Sequence, residues 1–416
     1  MGTPQTGLGI NPYYSLIGLY LFANLLSLLT LSMGSPITIE IEDFIFSSSV
    51  VTVSAIALFG ALFGSLAVHA TASAISKHHH DLRFGSTASW ILLLLQLSFL
   101  AFNSYYEVNL AGVEDEAQGN ALFRLAFSIA QPDLLFLLIA TGIRSNRWFW
   151  INVFTYGISL LLRSWIGGLY LIAIIVAIRQ YPIKISRNNL RLMLGVLIVG
   201  VITLPLIVSA KWFFRSGAGI SEAFDFLAEV GYLKYLIESL IYVANRFQHL
   251  GHVALLAENA RSLGEAYETG AFIPYWMDGA PQWFLMRLNG VDIVTFNKFI
   301  VRSIFDSTNM AYATNPGVAG WFLVLGQSGL YLAAYLLVVT LIPSILVLRL
   351  AGYKYLLLVS CFNLIYLFHG WIGAYFNLVL YLLTLLSVKR LLGSAPAVAG
   401  QHSPVVALSV AAERDR

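Results

Sequence analysis

Three observations predict an all-α polytopic integral membrane protein. Of 416 residues, 58% are hydrophobic and 11% charged, the apolar residues fall in ten long runs, and the basic residues collect in alternate connections between them. A water-soluble domain carries roughly 25% charged residues, more than twice the fraction found here. About 20 apolar residues span a bilayer as a helix, and in lipid every backbone group must be bonded within the protein, which runs of this length achieve as helices.

The runs lie at 13–31, 49–76, 87–102, 121–142, 148–162, 165–178, 192–210, 317–348, 355–368 and 371–388. No cationic segment precedes the first and no small-residue cleavage site follows it, so it reads as a retained helix. One set of connections holds Lys77 and Arg83, Arg144 and Arg147, Arg179, Lys184, Arg187 and Arg191, Arg349 and Lys354, and Lys389 and Arg390. The positive-inside rule places these in the cytoplasm. The short connections of the other set are acidic or neutral, with Glu40, Glu42 and Asp43 in one and Glu107, Glu114, Asp115 and Glu116 in another. Both termini then fall inside and residues 211–316 outside. The expected division is a seven-helix segment (1–210), a large outer loop with amphipathic helices (211–316), three further helices (317–390) and a disordered cytoplasmic tail (391–416).

The chain shows no internal repeat of the kind many transporters carry. The hairpins around Arg163 and around His369 have only about 15 residues per span, short for a full crossing. That length places both side chains in a recess below the outer surface.

Within the outer loop, Phe226, Leu227, Val230, Leu233, Ile237, Leu240 and Ile241 recur at helical spacing, with Asp225, Glu229 and Glu238 elsewhere, which predicts one amphipathic helix over 222–245. Arg246, His249 and His252 follow at intervals of three. On a helix they share a face suited to an anion, or simply solvated; the two histidines also suit a metal, although no acidic partner is in register. Trp276, Trp283 and their Pro, Gly and aromatic surroundings fit sugar rings or an interfacial aromatic belt. Arg302 and Asp306, one turn apart, make an ion pair or a site of mixed charge. The lone cysteine, Cys361, excludes an intramolecular disulfide and a multi-cysteine metal site, and no metal is expected.

Ionisable groups near apolar spans mark function by default. Arg124, Asp133, Arg163 and His369 are the candidates. Arg163, in LLRSWIGG on a hairpin otherwise bare of charge, has the planar fork that clamps a phosphate. A snorkelling arginine on an ordinary lipid phosphate is the plainer reading.

The short hairpin with Arg163, the large loop rich in Arg, His and aromatics, and the return helix NPGVAGWFLVLGQSGLYL with Asn315, Gly317, Gly320, Gly326 and Gly329 together resemble the bacterial Wzy-type polysaccharide polymerases and their relatives the O-antigen ligases, membrane glycosyltransferases of the GT-C kind. TNPG stands where the ligases carry a histidine beside the asparagine, which favours the polymerase. The resemblance implies an inner-membrane enzyme that joins oligosaccharide repeat units carried on undecaprenyl diphosphate, with the lipid diphosphate as leaving group. A ligase or a lipid-linked oligosaccharide flippase is the alternative. The implied partners are those glycolipids, the bilayer and a chain-length regulator, with no nucleic acid and no cofactor. On this reading Arg163, Arg246 and Arg302 bind the diphosphate, and Arg215, Trp276, Trp283 and Asn315 join the substrate site. His249, His252 or Asp306 takes the proton, His249 first because it lies nearest Arg246 on the predicted face.

Overall fold

A computed structural model describes residues 9–40, 42–75, 81–111, 120–184, 186–215, 220–289, 293–305 and 314–393. Lys77, the acidic trio Glu114, Asp115 and Glu116, Asp306 and the tail beyond 393 lie outside the described residues. The described residues form eighteen α-helices, two 3-10 turns and two small two-stranded ladders. The ladders are β1 (Gly9–Ile10) with β4 (Ile183–Lys184), and β2 (Ile37–Ile39) with β3 (Glu42–Phe44), both antiparallel.

The first apolar stretch gives α1 (Pro12–Ser32), α2 (Ser48–Ile75), α3 (Ser86–Tyr106), α4 (Ala121–Ala130), α5 (Pro132–Ala140), α6 (Asn146–Leu162), α7 (Gly167–Gln180) and α8 (Arg187–Arg215). The loop folds as α9 (Ile220–Val230), α10 (Tyr232–Asn245), α11 (Leu250–Glu258), α12 (Ala260–Glu268), α13 (Ala280–Asn289) and α14 (Phe296–Ile304). The return comprises α15 (Gly317–Leu325), α16 (Gly329–Ala351), α17 (Tyr353–Phe368) and α18 (Ile372–Gly393).

Counting Ala121–Ala140 and Gly317–Ala351 each as one run, seven helices are long and apolar enough to cross a membrane, which fits a multi-pass membrane protein. The remaining apolar runs are shorter: α6 has 17 residues, α7 14 and α17 16. At 1.5 Å per residue such helices reach about 21–26 Å, less than the roughly 30 Å hydrocarbon thickness. Of these, α17 is enclosed by the bundle: every residue from Tyr355 to Phe368 is buried, among α1, α2, α7, α15, α16 and α18.

Three expected continuous helices are broken. The fourth run bends at Gln131, a non-glycine residue at φ 41°, because the following Pro132 supplies no N–H and starts a new helix. The expected amphipathic helix 222–245 is two, α9 and α10, separated by Gly231 at φ 90°. The eighth run divides into α15 and α16 around a 3-10 turn at Gly326–Ser328. Each break has a consequence for packing. On α9, Leu227 is buried against Val208 of α8 and Tyr235 of α10, whereas Leu233, Ile237, Leu240 and Ile241 of α10 stay exposed.

The loop sinks into the bundle through α11. Its Leu250, Val253, Ala254 and Leu256 are buried against α2 and α15. Gly320 of α15 admits Leu256, whose Cδ1 would lie 2.2 Å from an added Cβ. In α1, Asn24 receives the backbone N–H groups of His249 and Leu250 (2.7 and 3.1 Å) and donates to the Phe247 carbonyl (3.0 Å), a link of loop to bundle. A second link joins the Tyr275–Met277 turn and α13 to α18. The N–H of Gly373 donates to Asp278 (2.9 Å), and that of Ala280 donates to Asn377 (3.0 Å).

Candidate functional site

Between these links lies a cavity of about 1600 Å³. Its wall is assembled from the α4–α5 break, the α6–α7 turn, the last two turns of α8, the end of α10 and the α17–α18 turn. Among the described residues, five cationic side chains line it, Arg124, Arg163, Lys211, Arg215 and Arg246, against a single carboxylate, Asp133. Aromatic rings form much of the remainder.

Arg163 is the C-cap of α6, and Ser164 behind it sits at φ 57°, a turn that directs the arginine inward. It is 3% exposed. Nη1 and Nη2 each donate to Asp133 at 2.8 Å, and Nε donates to the Ser159 carbonyl at 3.2 Å. The break at Gln131 makes this pair possible, since it puts Asp133 in the first turn of α5, where a negative charge is favoured. Phe99 and Trp165 cover the guanidinium at 5.0 and 5.6 Å. The arginine that sequence reasoning singled out thus lines the recess, as does His369, but it enters already paired with a carboxylate.

The uncompensated charge lies elsewhere. The Tyr242 hydroxyl accepts hydrogen bonds from Lys211 Nζ and from Arg246 Nη2, the latter at 3.0 Å. Arg215 adds a third cation, with its Nε buried and without a hydrogen-bond partner among the described residues. Burial raises the Tyr242 phenol, but Arg246 and Lys211 outweigh it and bring the phenol below its ordinary value. Lys211 is only 6% exposed. Three cations around one phenol, with no carboxylate among their partners in the described residues, give this part of the site a local excess of positive charge.

Beside this cluster lies a group of imidazoles. The expectation that Arg246, His249 and His252 share one helix face is overturned: α10 ends at Asn245, Arg246 caps it, and His249 is the N-cap of α11. Arg246 turns to the cavity, whereas His249 and His252 are buried behind its wall. The imidazole that lines the cavity is His369, whose Nε2 lies 3.0 Å from the Tyr20 hydroxyl. His249 is 4.2 Å from His369, centroid to centroid. Burial first, then His369, His252 and Arg246, hold His249 well below its ordinary pKa, so it is neutral. His252 approaches Glu40 at 3.4 Å.

The other candidates divide. Arg215 and Asn315 line the cavity, Asn315 buried. Arg302 is exposed on α14 and Trp276 is 52% exposed, and neither lines the cavity. The side chain of Trp283 and all of Asp306 lie outside the described residues. Among those described, no group of three His, Cys, Asp or Glu is placed to hold a metal ion. Lys211, Tyr242 and Tyr20 were missed in the sequence. Lysine and tyrosine at the end of an apolar run have the ordinary composition of a membrane interface, so only their convergence marks them. The chain matches no protein-family model, no curated protein and no solved structure.

Proposed function

We propose that the protein is a membrane glycosyltransferase, a polymerase that joins oligosaccharide units carried on undecaprenyl diphosphate at the outer face of a bacterial inner membrane. The observation that carries the reading is the Lys211, Arg215 and Arg246 cluster around Tyr242, at the mouth of a large aromatic-walled cavity. A diphosphate leaving group needs donors preorganised for the charge it acquires. Three cations with no carboxylate among their described partners are such donors, and tyrosine and tryptophan rings nearby suit sugar faces. Ten crossings with both termini in the cytoplasm complete the proposed topology and put the cavity on the side where translocated lipid-linked units are presented.

In the reaction, the acceptor sugar hydroxyl attacks the anomeric carbon of the donor. The new C–O bond forms as the bond to the diphosphate oxygen breaks, and that oxygen keeps the electron pair. The hydroxyl proton passes to the Tyr20–His369 pair, the titratable couple at the cavity wall. Arg163, fixed by Asp133, positions the substrate and presents its remaining N–H groups.

Purified protein in proteoliposomes, given undecaprenyl-diphosphate oligosaccharide, yields a ladder of lengthening products and one undecaprenyl diphosphate per joint. Movement of the glycolipid across the bilayer without chain growth would replace the reading with a flippase. Transfer of one finished chain to a different lipid acceptor would replace it with a ligase.

A further inference from the structure

Four imidazole nitrogens in and behind the cavity wall are buried and have no hydrogen-bond partner among the described residues: Nδ1 and Nε2 of His249, Nδ1 of His252 and Nδ1 of His369. Buried polar atoms are nearly always bonded. A polar site with several such groups is the kind that a bridging water completes. Their order in space is a line. Tyr20 OH is 3.0 Å from His369 Nε2, the His369 and His249 rings are 4.2 Å apart, His249 and His252 5.8 Å apart, and His252 Nε2 is 3.4 Å from Glu40 Oε1.

The line begins at the cavity and ends on the hairpin that β2 and β3 form outside the bundle. Glu40, at the turn of that hairpin, adopts φ 57°, uncommon for a residue with a side chain, and its carboxylate is 12% exposed. Thr314 also donates to its Oε1, at 3.4 Å, next to the cavity-lining Asn315. Arg246 is the permanent charge felt along the line, by His249. Nothing in packing alone calls for three imidazoles here, where phenylalanine would fill the volume at no cost in unbonded nitrogen.

We infer that Tyr20, His369, His249, His252 and Glu40 form a proton relay that carries the acceptor hydroxyl proton from the cavity to the outer surface. The inference rests on the glycosyl-transfer reading for the origin of the proton, though not for the existence of the chain. A neutral imidazole accepts at one nitrogen and donates from the other, so each hop leaves the ring as its other tautomer. The proton leaving Tyr20 for His369 is replaced by the one taken from the sugar hydroxyl. The proton displaced at the far end protonates the Glu40 carboxylate, which releases it to water. An exit path matters because Arg246 and the basic cluster would otherwise disfavour a protonated histidine at the cavity.

The test uses the full-length protein in nanodiscs and the variants Glu40→Gln, His252→Gln and His249→Gln. In the elongation assay, each lowers kcat about 10-fold with KM unchanged, below the roughly 10²–10⁴ that a direct general base contributes. Each also increases the solvent deuterium isotope effect, and external imidazole restores part of the rate in His252→Gln. Unchanged kcat and isotope effect in all three, with the wild type active, would overturn the relay. A second arm needs no activity. In protein labelled with ¹⁵N-histidine, Glu40→Gln changes the tautomer-sensitive shifts of His369 as well as those of His252 and His249. Unchanged His369 shifts would overturn the relay. Absence of elongation by the wild type would sink the transfer reading instead, leaving the NMR arm to decide the relay.

Discussion

Replacing Lys211 by methionine separates a site built for an anion from a cluster built for structure, because the two roles predict opposite signs. Lys211 Nζ and Arg246 Nη2 donate to the same phenolic oxygen, and two donors on one oxygen place their charges about 5 Å apart, a repulsion of about 3 kcal/mol at an effective dielectric of about 20. Methionine keeps the length and apolar stem of the side chain and removes that repulsion. It also forfeits one hydrogen bond to a charged donor, which contributes about 1.5–3 kcal/mol. Lys211 is 6% exposed, and an unpaired buried charge costs further free energy that methionine does not incur. The substrate-free protein therefore keeps its stability or gains about 1 kcal/mol. Diphosphate binding loses a charge-assisted bond of about 1.5–3 kcal/mol, a weakening of about 10- to 150-fold at 1.4 kcal/mol per decade. Thermal unfolding in detergent, with and without a polyprenyl diphosphate, reads both quantities. A clear fall in the substrate-free Tm together with unchanged affinity would refute the argument, since it would make the lysine a structural tie.

The Arg163–Asp133 pair gives a second prediction. Removing one partner of a buried pair costs about 3–5 kcal/mol; because Asp133 is 30% exposed to the cavity, Asp133→Asn is expected at the lower end of that range or somewhat below it. Adding Arg163→Met to Asp133→Asn then recovers most of the loss, which denaturation of the single and double variants would show, and a failure to recover would mean the pair is not the source of the cost. A third prediction concerns the docking of the loop on α18. A Cβ on Gly373 would lie 2.4 Å from the Gly279 nitrogen, so Gly373→Ala destabilises by about 1–3 kcal/mol through overpacking, whereas alanine in an uncrowded helix would stabilise. Limited proteolysis should find the 270–289 segment cut faster in the variant, and an unchanged or raised Tm would contradict the close approach.

Much of the fold was legible in the residues because hydropathy acts on each segment separately. A run such as Ser48–Ile75 must be helical wherever it packs, as its backbone bonds close within itself. Arg163 and His369, singled out on their short hairpins, line one cavity. The helix breaks were less legible. Pro132 announces one, but the left-handed Gln131 before it has no comparable signal.

The site is a different matter. Spacing in sequence put Arg246, His249 and His252 on one face, and the chain turn after Asn245 sent them to different places. Arg163 could be singled out by its lone charge in an apolar hairpin, yet its partner Asp133 stands 30 residues away. His249 and His369 are far apart in sequence and 4.2 Å apart in space. By itself, then, the sequence determined an all-helical chain, its apolar spans and the placement of positive charge in the large loop. Only the tertiary structure decided which of those charges are neutralised and which converge on Tyr242. The physical reason is range: a helix forms from groups within four residues of one another, whereas a surplus of charge belongs to a place, and the place exists only once α8, α10 and α17 have packed around it.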